Sequence, residues 1–370
     1  MKTTFKRIGS GLLLLLAAAI LSSSSCGGGA EEQPKAADIT LDKEELTVSS
    51  EASTATITVN ATGEWGVAST ATDWCQVSPS GGLEGNWTVT VTISENLTRN
   101  ARETSIDFRC GSVRKSVAVK QDRKEETINV PEGYSLVWQD EFEGTEVDGS
   151  KWKFENWAPG FVNNELQRYV AGGVLDGNKT AFVEDGVLNI RAMKYNGQVI
   201  SARMNTSASW EYGYMEASIK LPKGKGTWPA FWMMPDDQSL GWPDCGEIDI
   251  MEEVGVDANY TSSSIHCESY NHVKNTQKTA SRYTKGAEDE FHTYALEWTP
   301  DYIKTYVDGE LLLNFANDGK GSNSTWPFDK KFYITLNLAW GGSWGGYAGV
   351  DESALPATMQ IDYVRVFKKK

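Results

Sequence analysis

Trp242-Pro243-Asp244-Cys245-Gly246-Glu247-Ile248-Asp249-Ile250-Met251-Glu252-Glu253 sets four closely spaced carboxylates, Glu247, Asp249, Glu252 and Glu253, among Ile and Met, in a run with the alternation of a β-strand. Side chains on a strand alternate faces. Ile248 and Ile250 therefore point to a core, Glu247, Asp249 and Glu253 share the other face, and Glu252 falls on the core side. A one-residue bulge near Met251 would shift that register and bring Glu252 round to join Glu247 and Asp249. The residues alone leave Glu252 and Glu253 both open. Carboxylates held a few ångströms apart resist joint ionisation, so one keeps its proton while a neighbour releases it, and an acid and a base then coexist at neutral pH. A calcium-binding or merely solvated acidic strand is the competing reading. Against it stands the apolar alternation, which demands that one face be buried while the other carries the acids.

Outward from this strand, period-two alternation recurs over 187–192, 212–220, 294–298, 303–307, 332–338 and 359–367, with hairpin signals at Asn196-Gly197 and Asp308-Gly309. Helical periodicity is scarce, so the fold class is all-β. Residues 38–122 carry their own short β-type runs (54–59, 87–93, 104–109, 113–121) broken by Gly, Asn and Pro, the pattern of a small Ig-like β-sandwich. The charged stretch Asp122-Arg123-Lys124-Glu125-Glu126 marks a linker, taken as 123–130, before a larger domain over 131–370.

The 370 residues are 40% hydrophobic and 11% aromatic, enough for two or three buried cores. A net charge of −15 argues against nucleic acid or an anionic membrane surface as partner, and against strongly sulfated polysaccharides, which need a basic cleft. Lys2, Lys6 and Arg7 precede an apolar run from Leu12 to Leu21, too short to span a bilayer and typical of an export signal over 1–25. Export permits disulfides among Cys75, Cys110, Cys245 and Cys267, and free buried cysteine is an equal alternative. Three scattered histidines without Cys or His spacing make a zinc site improbable. Of 14 Trp, 11 lie beyond residue 128, a supply of flat apolar platforms; Trp228 and Trp232, four apart, share a face of any regular strand.

Glu247-Ile248-Asp249-Ile250-Met251-Glu252 resembles the signature of glycoside hydrolase family 16 in its laminarinase-like form, with Met251 as the extra bulge residue. Six further segments agree in order: 137–142, 163–167, 212–217, 226–232, 337–342 and 361–366. The resemblance implies a concanavalin-like jelly roll of two curved antiparallel sheets with an open groove. It also implies retaining endo-hydrolysis of β-1,3- or mixed-linkage β-1,3/1,4-glucan, an endo-1,3(4)-β-glucanase needing no catalytic cofactor. It selects Glu252 over Glu253, makes Glu247 the nucleophile and Glu252 the acid/base, and sets Asp249 between them as electrostatic support. It further implies sugar contacts from Trp228, Trp232, Trp242, Trp344, Asn163, Glu165, Arg203 and His266, the last expected to open the strand after the catalytic one. A structural calcium would sit away from the chemistry on the Glu141 carbonyl, Gly186 and Asp362.

Residues 74–82 with 117–121 resemble the BACON domain, here favoured as a spacer. Ser25-Cys26-Gly27 resembles a lipoprotein site. Cys26 would then be acylated and residues 26–37 would form the tether of a monomeric outer-membrane lipoprotein at the cell surface. Alternatives are a family relative acting on agar-type galactan or xyloglucan, of which Met251 disfavours the second, and a non-catalytic carbohydrate-binding lipoprotein.

Overall fold

The computed structural model describes residues 36–98, 100–124 and 128–370. Cys26 and most of the expected tether lie outside them. Among the described residues no helix is long and apolar enough to cross a membrane.

The N-terminal part is a β-sandwich. One sheet orders Ile39–Leu41, Ser53–Ala61, Gly85–Ile93 and Cys75–Ser78; the other orders Glu45–Val48, Val113–Gln121, Arg102–Cys110, Trp65–Ser69 and Gly81–Gly82. Alternation does the work here: Ile57 and Val59, Val89 and Val91, Ile106 and Phe108, Val117 and Val119 all point between the sheets onto Trp65 and Trp74.

The larger part stacks two sheets as a jelly roll. The outer sheet runs Arg168–Tyr169, Gln198–Ser201, Val187–Tyr195, Ala357–Lys369, Gly213–Lys220, His292–Trp298, Tyr302–Val307 and Glu310–Ala316, with Tyr134–Asp140 and Ala181–Glu184 pairing beside it. The inner sheet runs Trp152–Phe154, Arg203–Thr206, Phe332–Trp340, Thr227–Pro235, Glu247–Glu252, Tyr260–His266 and Lys278–Tyr283. The expected antiparallel pairing holds except at Arg168–Tyr169, which lies parallel to Gln198–Ser201. Asn196-Gly197 and Asp308-Gly309 both take positive φ at both residues, the geometry of type I′ hairpins. Between the sheets Phe231, Ile248, Leu336 and Leu338 meet Met215, Ile219, Leu296 and Val364. All four described cysteines are buried and free, so the disulfide alternative is not realised.

Candidate active site

The acidic strand carries the bulge. Ala230, Phe231 and Trp232 of the neighbouring strand face Glu252, Met251 and Asp249, so Ile250 has no opposite number there, and the register on the other side also slips between Asp249 and Glu252. Ile250 and Met251 consequently both point into the core at 0% exposure, and Glu252 swings to the cleft side with Glu247 and Asp249. Burying two adjacent apolar side chains, each worth about 1.5–3 kcal/mol, stabilises the bulged register. Glu253 then turns inward, fully buried, with Oε1 accepting from the Asn259 N–H at 2.6 Å.

Register extends the cleft across the sheet. One row reads Arg203, Asn337, Ala230, Glu252, Ser262; the next reads Asn205, Thr335, Trp232, Asp249, Ser264, Thr279. A cavity of 410 Å³ lies over these rows and is lined by Glu247, Asp249, Glu252, Trp228, Trp232, His266, Asn163, Glu165, Arg203 and Trp344 among others. It thus gathers all but one of the cleft residues expected from sequence. The exception, Trp242, stands at the edge, and its Nε1–H donates to Glu247 Oε2 at 2.9 Å. Trp228 does the same for the other carboxylate, Nε1–H to Glu252 Oε1 at 3.0 Å, while its ring meets Trp344 edge-on at 5.5 Å.

Trp232 is held from two sides. Its Nε1–H donates to Asn337 Oδ1 at 2.7 Å, and the Arg203 guanidinium lies 4.5 Å from its ring and 4.1 Å from that of Trp157. Glu165 lines the cleft, yet its oxygens are engaged by neighbours: Oε2 accepts from Gln167 Nε2 at 2.7 Å and from the Tyr169 hydroxyl at 3.0 Å. The Tyr169 hydroxyl in turn accepts from Asn337 Nδ2 at 3.2 Å, which ties Glu165 to the orientation of Trp232. Gly341 and Gly342, both at positive φ, fold the following Ser343-Trp344 back over the cleft; a side chain at Gly342 would lie 2.8 Å from the Asn163 carbonyl.

His266 closes the strand Tyr260–His266 rather than opening one, because the pairing Glu247↔His266 ends the ladder there. Its Nε2 lies 3.2 Å from Asp249 Oδ2. Ser264, His272, Gln277, Thr279, Asn337 and Ser343 also line the cavity. Sequence reasoning gave them no role. Continuing the period-two face of the acidic strand onto its partners would have found Ser264 and Thr279, once the register was known.

Burial is the first cause of raised carboxyl pKa values in all three acids. Glu247 is pushed up to about 8, with Asp249 repelling it; Glu252 rises to about 7, against the lowering effect of the Trp228 hydrogen bond; and Asp249 lies well above the carboxylate range. Three such groups cannot all be charged, and their ionisations belong to the cluster. The Trp242 indole lowers the Glu247 pKa and the Trp228 indole lowers that of Glu252, whereas the charge and hydrogen bond of Asp249 raise that of Glu247. Glu247, Asp249 and His266 also place ligand-type atoms within 4.8 Å of one another, but these are the groups the cleft chemistry itself uses.

Asp362 lies in the outer-sheet strand Ala357–Lys369, Glu141 follows the end of Tyr134–Asp140, and Gly186 sits in the turn between Ala181–Glu184 and Val187–Tyr195. Strand Ala357–Lys369 pairs with Val187–Tyr195 up to Leu188↔Ile361 and, on the same edge, with Tyr134–Asp140 from Asp140↔Val364. The gap falls at residues 362–363, flanked by Gly186 and Glu141. Glu141 directs its carboxylate at Arg365, 2.8 and 2.9 Å from Nε and Nη2. Backbone carbonyls with one carboxylate would make a hard-oxygen set of the kind calcium takes.

The family model described as Glycosyl hydrolases family 16 matches residues 172–365, and a model named BACON matches 63–122. The β-glucanase of Rhodothermus marinus is 43% identical over 248 residues, covering 64% of this chain and 85% of that protein. The X-ray structure of the laminarinase from Rhodothermus marinus superposes with a TM-score of 0.60 at 42% identity, covering 64% of this chain and 97% of that one. A variant of SCLam, a non-specific endo-β-1,3(4)-glucanase co-crystallised with 1,3-β-D-cellotriosyl-glucose, gives 0.62 at 43% identity over 66% of this chain and 98% of its own.

Proposed function

Since the chain belongs to glycosyl hydrolase family 16, we propose that it is a retaining endo-β-glucanase that cuts β-1,3-glucan and mixed-linkage β-1,3/1,4-glucan within the polymer. The observation that carries the reading is the bulge, which sets Glu247, Asp249 and Glu252 on one cleft face with an indole donor on each outer carboxylate.

The Glu247 carboxylate attacks the anomeric carbon while Glu252 gives its proton to the glycosidic oxygen, so the C–O bond breaks and the aglycone leaves as an alcohol. A glycosyl ester on Glu247 results. Glu252, now ionised, takes a proton from water, the water oxygen attacks the same carbon, and Glu247 departs as carboxylate. Two inversions give net retention. In this mechanism the proton between Glu247 and Asp249 passes to Asp249 when Glu247 ionises for attack, and Asp249 donates it back as a hydrogen bond when the carboxylate reappears. Trp232, fixed by Arg203 and Asn337, offers its face to a pyranose ring. The cleft's open form suits an internal cut.

Product analysis on laminarin, mixed-linkage glucan, agarose and xyloglucan tests this. Oligosaccharides of mixed length from the first two, with new reducing ends appearing first as β-anomers by NMR, are expected. α-Anomers, or cleavage of agarose or xyloglucan alone, would overturn it.

We also assign a structural calcium to the notch formed by the Glu141 carbonyl, Gly186 and Asp362. EDTA should lower the melting temperature while leaving kcat at 25 °C unchanged. A melting temperature indifferent to both EDTA and added calcium would exclude the site.

A further inference from the structure

We propose that His272 is a positioning residue for the nucleophile: it braces the Trp242 ring, and through it the indole N–H that holds Glu247. The proposal rests on the glucanase reading above. Trp242 is 37% exposed and sits in the loop ahead of the acidic strand, where an unsupported indole would exchange rotamers. Its donation to Glu247 Oε2 at 2.9 Å needs one orientation.

That orientation has a backing. The His272 ring lies 4.8 Å from the Trp242 ring at an interplanar angle of 34°, and stands edge-on to His266 at 5.3 Å; Trp242 and His266 are 6.0 Å apart. The three rings close a small cluster beside Glu247 and Asp249.

His272 is itself anchored. Asn271, 1% exposed, donates from Nδ2 to the Cys267 and Glu268 carbonyls, each at 3.0 Å, and its Oδ1 accepts from the Lys274 N–H at 3.0 Å, which caps the short 3₁₀ turn His272–Lys274. A chain of contacts therefore runs from a buried Asn through two rings to the nucleophile. Burial, with His266 beside it, lowers the His272 pKa below the ordinary histidine value, so it presents a neutral ring to Trp242.

The titratable groups facing Glu247 are Asp249 and Glu252 on its own strand, His266 on the next, and Cys245 in the preceding loop. Among them Trp242 supplies a neutral donor that lowers the Glu247 pKa. Loss of that donor raises it. The acid limb of kcat/KM against pH must then move to higher pH.

The experiment compares His272→Ala, His272→Phe and Trp242→Phe on laminarin, with melting curves and retention on a glucan gel recorded for each. His272→Ala and Trp242→Phe should both shift the acid limb upward and lower kcat by about 10- to 100-fold, the effect of losing a hydrogen bond to a charged group. His272→Phe, which keeps the ring without its nitrogens, should restore most of the rate and the limb. The double variant His272→Ala/Trp242→Phe should be no worse than either single, because one contact is removed twice. An unmoved acid limb in a folded His272→Ala overturns the proposal. So does a His272→Phe as impaired as the alanine variant, which would mean the imidazole acts on substrate. If His272→Ala does not fold, the His272→Phe result alone decides. Inactivity of the unaltered chain on every glucan would refute the glucanase reading, an outcome distinct from either of these.

Discussion

In Glu247→Gln, turnover of laminarin falls by at least about 10⁴-fold while retention on a glucan affinity gel persists, since the amide keeps the shape of the site but cannot form the glycosyl ester. The same variant should melt higher than the unaltered chain at alkaline pH. The sign follows from the raised pKa: near pH 4 and below, Glu247 is neutral both folded and unfolded and its protonation favours neither state. As pH rises from the ordinary glutamate range toward about 8, the unfolded chain releases its proton and the folded chain holds it, so stability is lost across that window. Glutamine has no proton to lose. The melting-temperature gap between the two proteins should widen from pH 5 to pH 8; a gap that stays constant, or substantial hydrolysis by the variant, removes Glu247 from the nucleophile's role. Glu253, also pushed up to about 8 by burial and by Glu288, destabilises in the same window but is present in both proteins and cancels from the comparison.

Glu252→Ala should separate the two halves of the reaction. On laminarin, whose leaving sugar needs a proton, kcat falls by about 10²- to 10⁴-fold. On an aryl glycoside of laminaribiose with a dinitrophenolate leaving group, the ester forms without acid help, and its hydrolysis becomes slow because no base activates water. Added azide, a nucleophile that needs no deprotonation, should then accelerate turnover and yield the β-glycosyl azide, the stereochemistry set by the Glu247 ester. The basic limb of the unaltered enzyme's pH profile, where the acid/base gives up the proton it must donate, should vanish in Glu252→Ala with the aryl substrate. Equal losses on both substrates with no azide effect would show that Glu252 is not the acid/base.

Alternation along the chain was enough to read the all-β class, the inward Ile248 and Ile250, the two hairpins at Asn196-Gly197 and Asp308-Gly309, and the shared face of Trp228 and Trp232. These are local properties, set by a period of two and by residues that tolerate positive φ. The choice between Glu252 and Glu253 was open on alternation and settled toward Glu252 only by resemblance, because a bulge is defined by how two strands count against each other; Ile250 is skipped against Ala230–Trp232, and the count slips again against the strand Tyr260–His266. The work of Glu165, Arg203 and Trp242 also depends on partners that strand alternation does not point to: Tyr169 and Asn337 for the first, Trp157 and Trp232 for the second, Glu247 and His272 for the third. The sequence by itself determined which residues could be buried and which strands could carry acids. Tertiary structure alone decided which side chains meet over the cleft, because cross-strand register and loop placement are set by contacts summed over the whole sandwich and leave no periodic mark on any single segment.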